Sequence, residues 1–468
     1  MKKSTIYLIA MLMLTLAVAG CSGAAPAADT APSSDDAASS SDSAADTAST
    51  DADEADSMMV MEYDAMTEEC NEDLTGETIV IYQQAGREGP LASILGDGFA
   101  LATTDAVGYI NENGGVCGAH IEVEFGETNY AVEQEIAVYE QFRVADPKPI
   151  ILLTYGSGAT IALKDRVKED EIVNLAAGLN AEAFYNPADG YTFGSAPIYS
   201  DQFAGFLTWA SENWADIKPE GAGDDIVVGV LGWANAFGAG ATTPEALAVA
   251  ESLGITVLPL EEQAISPDAD VTGQVQNMLL GGANVIYSQN LSFGATQLIG
   301  TVRALGAWDQ VIVGGVNWAF NVDVVNFLGE NQQLADGFYG VFPYRWYDDT
   351  DQVGVQLVND AFAAAGYEEK DRAVTYITTW GTFLSIWDIL EFTINEVGYE
   401  KLSGATVKAS MSKMGIIDGG GISTFDARGT NRAGTQAQIR QMKWDGEKIN
   451  FEVAADFFEL PDTRPSSE

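Results

Sequence analysis

The chain has 468 residues, 47% of them hydrophobic, with 69 acidic against 22 basic side chains and a formal net charge of −47. Such an acidic excess argues against nucleic acid and anionic lipid surfaces as partners, because both require a basic footprint. The first 73 residues hold 15 of the acids and 2 of the bases, so the remainder still carries 54 against 20, a solvated surface suited to ionic surroundings.

Lys2 and Lys3 precede an apolar run over residues 6–18 and the small pair Ala19-Gly20 before Cys21. A charged start, a short apolar stretch and small residues at a cut site describe a secretory signal, too short and wrongly flanked for a membrane span. Residues 16–21, Leu-Ala-Val-Ala-Gly-Cys, resemble the bacterial lipobox. That resemblance implies cleavage before Cys21 and lipidation of its thiol; an ordinary signal with an incidental cysteine is the other reading. Residues 22–57 are almost only Ala, Ser, Asp, Thr and Pro, with nothing to bury, and are expected to form a disordered tether. The roughly 400 residues beyond exceed one ordinary core and point to two domains.

With Cys21 set aside, Cys70 and Cys117 are the one possible pair. Each should precede a strand, at the same end of neighbouring strands, and export places them where thiols oxidise. A disulfide is expected, with two free thiols as the alternative. His120 is the single histidine and no Cys-x-x-Cys spacing occurs, so neither a metal site nor a cofactor is expected.

From residue 78 the chain alternates short β-branched runs with longer helical patterns. Strands are predicted at 78–82, 121–125, 149–154 and 171–175, with a weaker fifth at 191–194, and the clearest helices between them at 91–113 and 132–144. A second series starts at 226–231 and continues at 255–260, 284–288, 310–314 and 337–341. Its spacing is one strand plus one helix each time, which means a parallel sheet with helices on both faces. Residues 376–397 read as a long helix, and 421–425, 437–444 and 451–455 as late strands returning to the two sheets. The fold class is therefore α/β, with two doubly wound, Rossmann-like lobes, a hinge of several crossings and a cleft between them that closes on ligand.

Gly89-Pro90 with Gly96, the helix ending Ile110-Asn111-Glu112-Asn113-Gly114-Gly115 and the turn Tyr155-Gly156-Ser157-Gly158-Ala159-Thr160 are similar to the periplasmic binding proteins of the branched-chain amino acid and amide type. Ala177-Gly178-Leu179-Asn180, Pro343, and Phe425-Asp426 with Gly429 extend the resemblance over residues 76–460. It implies three interlobe crossings, near 198–200, 343 and 439–440. The implied organisation is a signal at 1–20 and a lipidated tether at 21–66. Residues 67–198 with 344–439 make the first lobe, 199–343 with 440–460 the second, and 461–468 a tail.

Gly156-Ser157-Gly158 follows a strand and opens a helix, where unpaired backbone N–H groups favour negative charge. The resemblance implies that this turn, with Tyr155, holds a ligand carboxylate; a plain glycine-rich turn is the competing reading. It also implies a threonine where Leu179 stands and a glutamate after residue 315, where this chain has Val316-Asn317-Trp318. Both partners of a ligand ammonium are thus absent, and an unpaired buried ammonium costs on the order of several kcal/mol. In their place stand Ala177, Gly178 and Leu179 in the first lobe and Trp233, Asn235, Phe237, Gln289, Asn290, Asn317 and Trp318 in the second. These suit an amide, or a carboxylate with an apolar body. Packing of the tryptophans into the lobe core is equally open. Arg87 is a candidate for a ligand anion or for an ion pair, and Tyr376 a candidate at the start of the long helix.

The function expected is capture of a small polar ligand by lobe closure and delivery to the permease subunits of an ABC importer, by a monomer that catalyses nothing. Presentation of ligand to a separate sensor is the alternative. A hydrolase is remote, because Gly-x-Ser-x-Gly is absent around Ser157 and His120 is expected at the opposite end of the sheet.

Overall fold

The structure, a computed structural model, describes residues 69–465. The expected signal, Cys21, the tether and the last three residues of the tail lie outside them. In chain order the first lobe holds β1 (Thr78–Ala85), α1 (Ala92–Glu112), β2 (His120–Glu127), α2 (Val132–Phe142), β3 (Ile151–Thr154), α3 (Ser157–Glu169), β4 (Val173–Ala176), α4 (Ala181–Tyr185) and β5 (Thr192–Phe193). The five strands form a parallel sheet in the order β2-β1-β3-β4-β5. Central strands of such a sheet are covered on both faces, so they need side chains that tolerate full burial. β3 (Ile-Leu-Leu-Thr) and β4 (Val-Asn-Leu-Ala) are buried along their whole length. Strand order reverses between β1 and β3, and ligands collect beyond the strand ends at such a switch point.

The second lobe runs through α5 (Tyr199–Glu212), α6 (Trp214–Ile217), β6 (Val227–Trp233), α7 (Pro244–Ser252), β7 (Thr256–Val257), β8 (Glu261–Gln263), α8 (Thr272–Leu280), β9 (Val285–Gln289), α9 (Ser292–Ala304), β10 (Ile312–Gly315), α10 (Val322–Leu328) and β11 (Tyr339–Phe342). Its parallel sheet has the order β10-β9-β6-β7, with β8 also on β6. The strand predicted at 255–260 is broken in two, because Pro259 has no N–H to give to the ladder.

The strand predicted at 337–341 is β11, and it does not extend the parallel sheet. It pairs antiparallel with β14 (Gln436–Trp444), which pairs with β15 (Ile449–Glu459) in a separate three-stranded sheet. The late strands therefore join neither parallel sheet. Burial of aromatic surface accounts for this arrangement: Phe320 stands edge-on to Phe342 at 5.9 Å and to Phe451 of β15 at 5.3 Å, a cluster that only the antiparallel pairing completes.

Between β11 and β14 the chain returns to the first lobe as α11 (Val353–Ala365), α12 (Val374–Val397), α13 (Gly404–Met414) and the hairpin β12 (Ile416–Asp418) with β13 (Thr424–Asp426). α12 is buried on nearly every side and packs on α1, α11 and α13. A helix apolar around its circumference belongs inside a core, with roughly 1.5–3 kcal/mol for each large side chain removed from water. At the return crossings Arg440 of β14 is fully buried and donates to Asp348 and Asp349, each at 2.8 Å, and to the Phe451 carbonyl at 3.1 Å.

Cys70 and Cys117 are bonded, with Cα atoms 5.5 Å apart. They precede the adjacent strands β1 and β2, and the bond ties together residues 47 apart in sequence. Cross-linking a loop of this length stabilises by about 4 kcal/mol through the unfolded chain. Treatment with a non-thiol reductant should lower the unfolding midpoint by several degrees, measured by calorimetry, and Cys70→Ser with Cys117→Ser should reproduce the shift.

Candidate functional site

Three turns at the carboxyl ends of the first sheet converge. After β3, Gly156 adopts φ +95° and opens α3 at Ser157. A Cβ there would stand 2.8 Å from the Tyr130 ring, and one on Gly178, after β4, 2.6 Å from the Gly156 backbone. Only glycine permits this approach. The third turn, after β2, carries Asn129 and Tyr130 at φ +49° and +58°, a left-handed conformation uncommon outside glycine. It is held by the Glu127 carboxylate, which accepts from the N–H of Asn129 at 2.7 Å, and by Glu135 of α2, which accepts from the Thr128 hydroxyl at 2.8 Å and the Gln84 amide at 2.6 Å. Burial raises the Glu135 carboxyl to about 7, against the opposing pull of these two hydrogen bonds.

The lobes meet over these turns. Tyr155 packs against Trp318 of the second lobe, ring centres 5.5 Å apart, and the Asn180 amide donates to the Ala236 carbonyl at 2.9 Å. Tyr199, at the first crossing, donates its N–H to the Leu179 carbonyl at 3.0 Å and its hydroxyl to the Ala177 carbonyl at 3.3 Å. Its ring packs on Phe237 at 5.0 Å. Desolvation raises its hydroxyl to about 12, so it stays a neutral donor. The Ser157 hydroxyl faces that of Tyr199, is 1% exposed, and completes no hydrogen bond. Across the cleft, Asn317 donates its N–H to Gln202 at 3.2 Å and accepts from the Tyr344 hydroxyl at 3.2 Å, while its side-chain oxygen has no partner.

Of the residues singled out from sequence, Tyr155, Gly156, Ser157, Gly158, Ala177, Gly178 and Leu179 lie on the converging turns, with Phe237, Asn317 and Trp318 opposite them. The others sit elsewhere. Asn290 is fully buried inside the second lobe, donating to the Leu231 carbonyl at 3.1 Å. Gln289 donates to the Phe237 carbonyl at 3.2 Å, and Asn235 accepts from the Phe237 N–H at 3.1 Å, so both fix the loop that carries Phe237. Trp233 is buried against Phe293. The Arg87 guanidinium covers the Phe125 ring at 3.4 Å, with Glu127 alongside. Tyr376 donates to Asp105 at 2.8 Å in the seam between α1 and α12. His120 opens β2, at the far end of the sheet. Cys70, Cys117 and Glu391 lie within metal-ligand reach of one another, but the two sulfurs are bonded together.

Tyr130, Tyr199 and Asp323 were not legible as site residues in the sequence. Tyr130 follows no motif, and Tyr199 looks like one more buried aromatic. Asp323, on α10, is 7% exposed with one oxygen unpartnered, and burial raises it to about 7. Its charge acts on the Tyr155 hydroxyl.

A sequence model of a family described as periplasmic binding protein matches residues 85–448. Comparison with curated proteins finds no match. Among solved structures, an ABC transporter substrate-binding protein from Aeropyrum pernix superposes with a TM-score of 0.69 at 20% identity, over 84% of this chain and 100% of the other. A branched-chain amino acid ABC transporter protein from Thermus thermophilus, with bound valine, gives 0.68 at 17%, over 82% and 97%. A solute-binding protein from Rhodopseudomonas palustris, in complex with p-hydroxybenzoic acid, gives 0.65 at 14%, over 83% and 98%.

The buried Glu135 generates a pH signature. A carboxyl raised by burial binds its proton more tightly in the folded state, so its contribution to stability declines as pH rises from the unfolded value near 4.5 to about 7. Glu135→Gln should therefore stabilise the protein relative to wild type at pH 8, and lose that advantage at pH 5. Paired thermal melts at the two pH values read the difference.

Proposed function

The chain belongs to the periplasmic binding protein family, and from that premise we propose that it captures a small amide or carboxylate in the cleft and delivers it to the permease of an ABC importer. Family membership places it outside the cytoplasm. Cys21 is the anchor in this reading, lipidated after signal cleavage, with residues 22–66 as the leash. Among the described residues no helix is long and apolar enough to cross a membrane. The body acts as a monomer.

The observation that carries the ligand class is the polar inventory of the closed cleft. Ser157 offers an unpartnered hydroxyl at a helix N-terminus, and Asn317 an unpartnered amide oxygen opposite it. The resemblance implies ammonium partners at Leu179 and after residue 315, and neither Leu179 nor Val316 offers a side-chain oxygen. One solved structure similar to this chain holds valine and another p-hydroxybenzoic acid; the open Ser157 hydroxyl suits a carboxylate or amide head, and the open Asn317 oxygen a donor such as a hydroxyl or amide N–H. Ligand shifts the lobes toward closure by as much as it binds the closed form better, and the permease then reads the closed form. No catalytic step is required.

Asp323 favours a second reading, in which its free oxygen pairs with a ligand amine. Asp323→Asn would then abolish binding of an amino acid, and leave a plain carboxylate unaffected.

A thermal-shift screen of amides, carboxylates and amino acids against residues 58–468 tests the first reading. A ligand at 100 times its Kd adds about 2.7 kcal/mol, a shift of several degrees. Ser157→Ala should weaken the best carboxylate by about 1–3 kcal/mol, roughly 5- to 150-fold in Kd. An unchanged Kd would remove Ser157 from the site, and a response confined to branched-chain amino acids would overturn the ligand class.

A further inference from the structure

Beside Ala177 and Leu179 of the converging turns lies a cavity of about 60 Å3, bounded by the ends of β3 and β4, by one face of α12 and by Asn317 and Trp318. A helix packed beneath a sheet ordinarily fills that space with Leu or Ile. Here the face of α12 that lines the cavity reads Thr375, Thr378, Thr379, Thr382 and Ser385, the i, i+3, i+4, i+7 rhythm of one helical side. Three of the hydroxyls are already occupied within the helix: Thr378 donates to the Val374 carbonyl at 2.7 Å, Thr382 to Thr378 at 2.9 Å and Ser385 to Gly381 at 3.0 Å. A hydroxyl bonded to its own helix leaves carbon facing outward. The lining holds no Asp, Glu, Lys or Arg. Its unsatisfied groups are the Asn317 oxygen and the Thr375 hydroxyl, each 1% exposed.

We propose that this cavity receives the uncharged body of the ligand, whose head lies at Ser157, and that the hydroxyl face of α12 sets the length of body admitted. The inference rests on the carboxylate or amide reading of the cleft. A charged tail is excluded by the lining, and a bulky one by volume. On the measure by which one water needs roughly 10–15 Å3, the space takes about four to six ligand atoms. The ligand class is therefore a monocarboxylate or primary amide with a short aliphatic or single-ring body. A donor on that body, such as a ring hydroxyl, would satisfy Asn317.

Straight-chain carboxylates from acetate to decanoate, with benzoate and 4-hydroxybenzoate, probe the cavity by titration calorimetry on the wild-type protein. Affinity should rise about four-fold per methylene, the fold-change that corresponds to ~0.8 kcal/mol per buried CH2, and cease to rise near six carbons. Thr379→Leu and Thr382→Leu should weaken hexanoate and benzoate at least ten-fold and leave acetate unchanged, while Thr382→Val, which keeps the volume, should behave as wild type. A flat wild-type series, or leucine variants that weaken acetate and hexanoate alike, would overturn the assignment. Ser157→Ala separates the two readings. Uniform weakening of the whole series supports both, and a preserved length dependence with no effect of Ser157→Ala keeps the cavity and removes the head site. Failure of every member to bind, and of hexanamide and benzamide run beside them, overturns both.

Discussion

A guanidinium with no exposure to water cannot be left unpaired, and Arg440 is such a group. Its partners, Asp348 and Asp349, lie on the segment that leads from β11 back to the first lobe, and Arg440 itself lies on β14, near the later crossing. The two crossings are therefore fastened to each other rather than merely adjacent. Removing both carboxylates would strand a buried charge, which is far costlier than the pairing is stabilising. Planar, forked donors make the connection directional as well. The positions of Ser157, Asn317 and Trp318 relative to one another follow from how the lobes are hung, so the cleft inherits its geometry from this ion-paired joint.

Above the joint the site is built from backbone more than from side chains. Three turns touch because two glycines permit contact, and a strained tyrosine turn is held by two acids beneath it. The Tyr199 N–H and hydroxyl both point into the first lobe while its ring supports the second. Most polar atoms at this meeting place are mutually satisfied. Ser157, Asn317, Asp323 and Thr375 are among those that are not. A fold that leaves a few buried acceptors and donors open among many closed ones is specific for what closes them.

Much of this was legible in the sequence. The alternation of apolar runs and helical stretches fixes two α/β lobes, because each parallel strand must be buried on both faces and each crossover needs its helix. The turn at Gly156 and Ser157 is a local motif, and local motifs survive without knowledge of neighbours. What could not be read is what depends on partners distant in sequence. The segment at 337–341 has the composition of any apolar strand, and the strand it pairs with, β14, lies roughly a hundred residues later in the chain. Asn290 and Arg87 are at suitable strand ends, yet local hydrogen bonds and a phenylalanine ring claim them first. The hydroxyls of α12 were visible at helical spacing, but their meaning requires knowing that this face looks into a cavity rather than into a core.

Trp318 gives the joint between the lobes an optical consequence. Its indole is 6% exposed and packed on Tyr155 of the opposite lobe, so separation of the lobes hydrates it and removes a neighbouring phenol within energy-transfer range. The chain thus carries an intrinsic chromophore pair across its moving boundary. Emission from this one tryptophan, isolated from the eight others by substitution to phenylalanine, reports the state of the cleft without any attached dye.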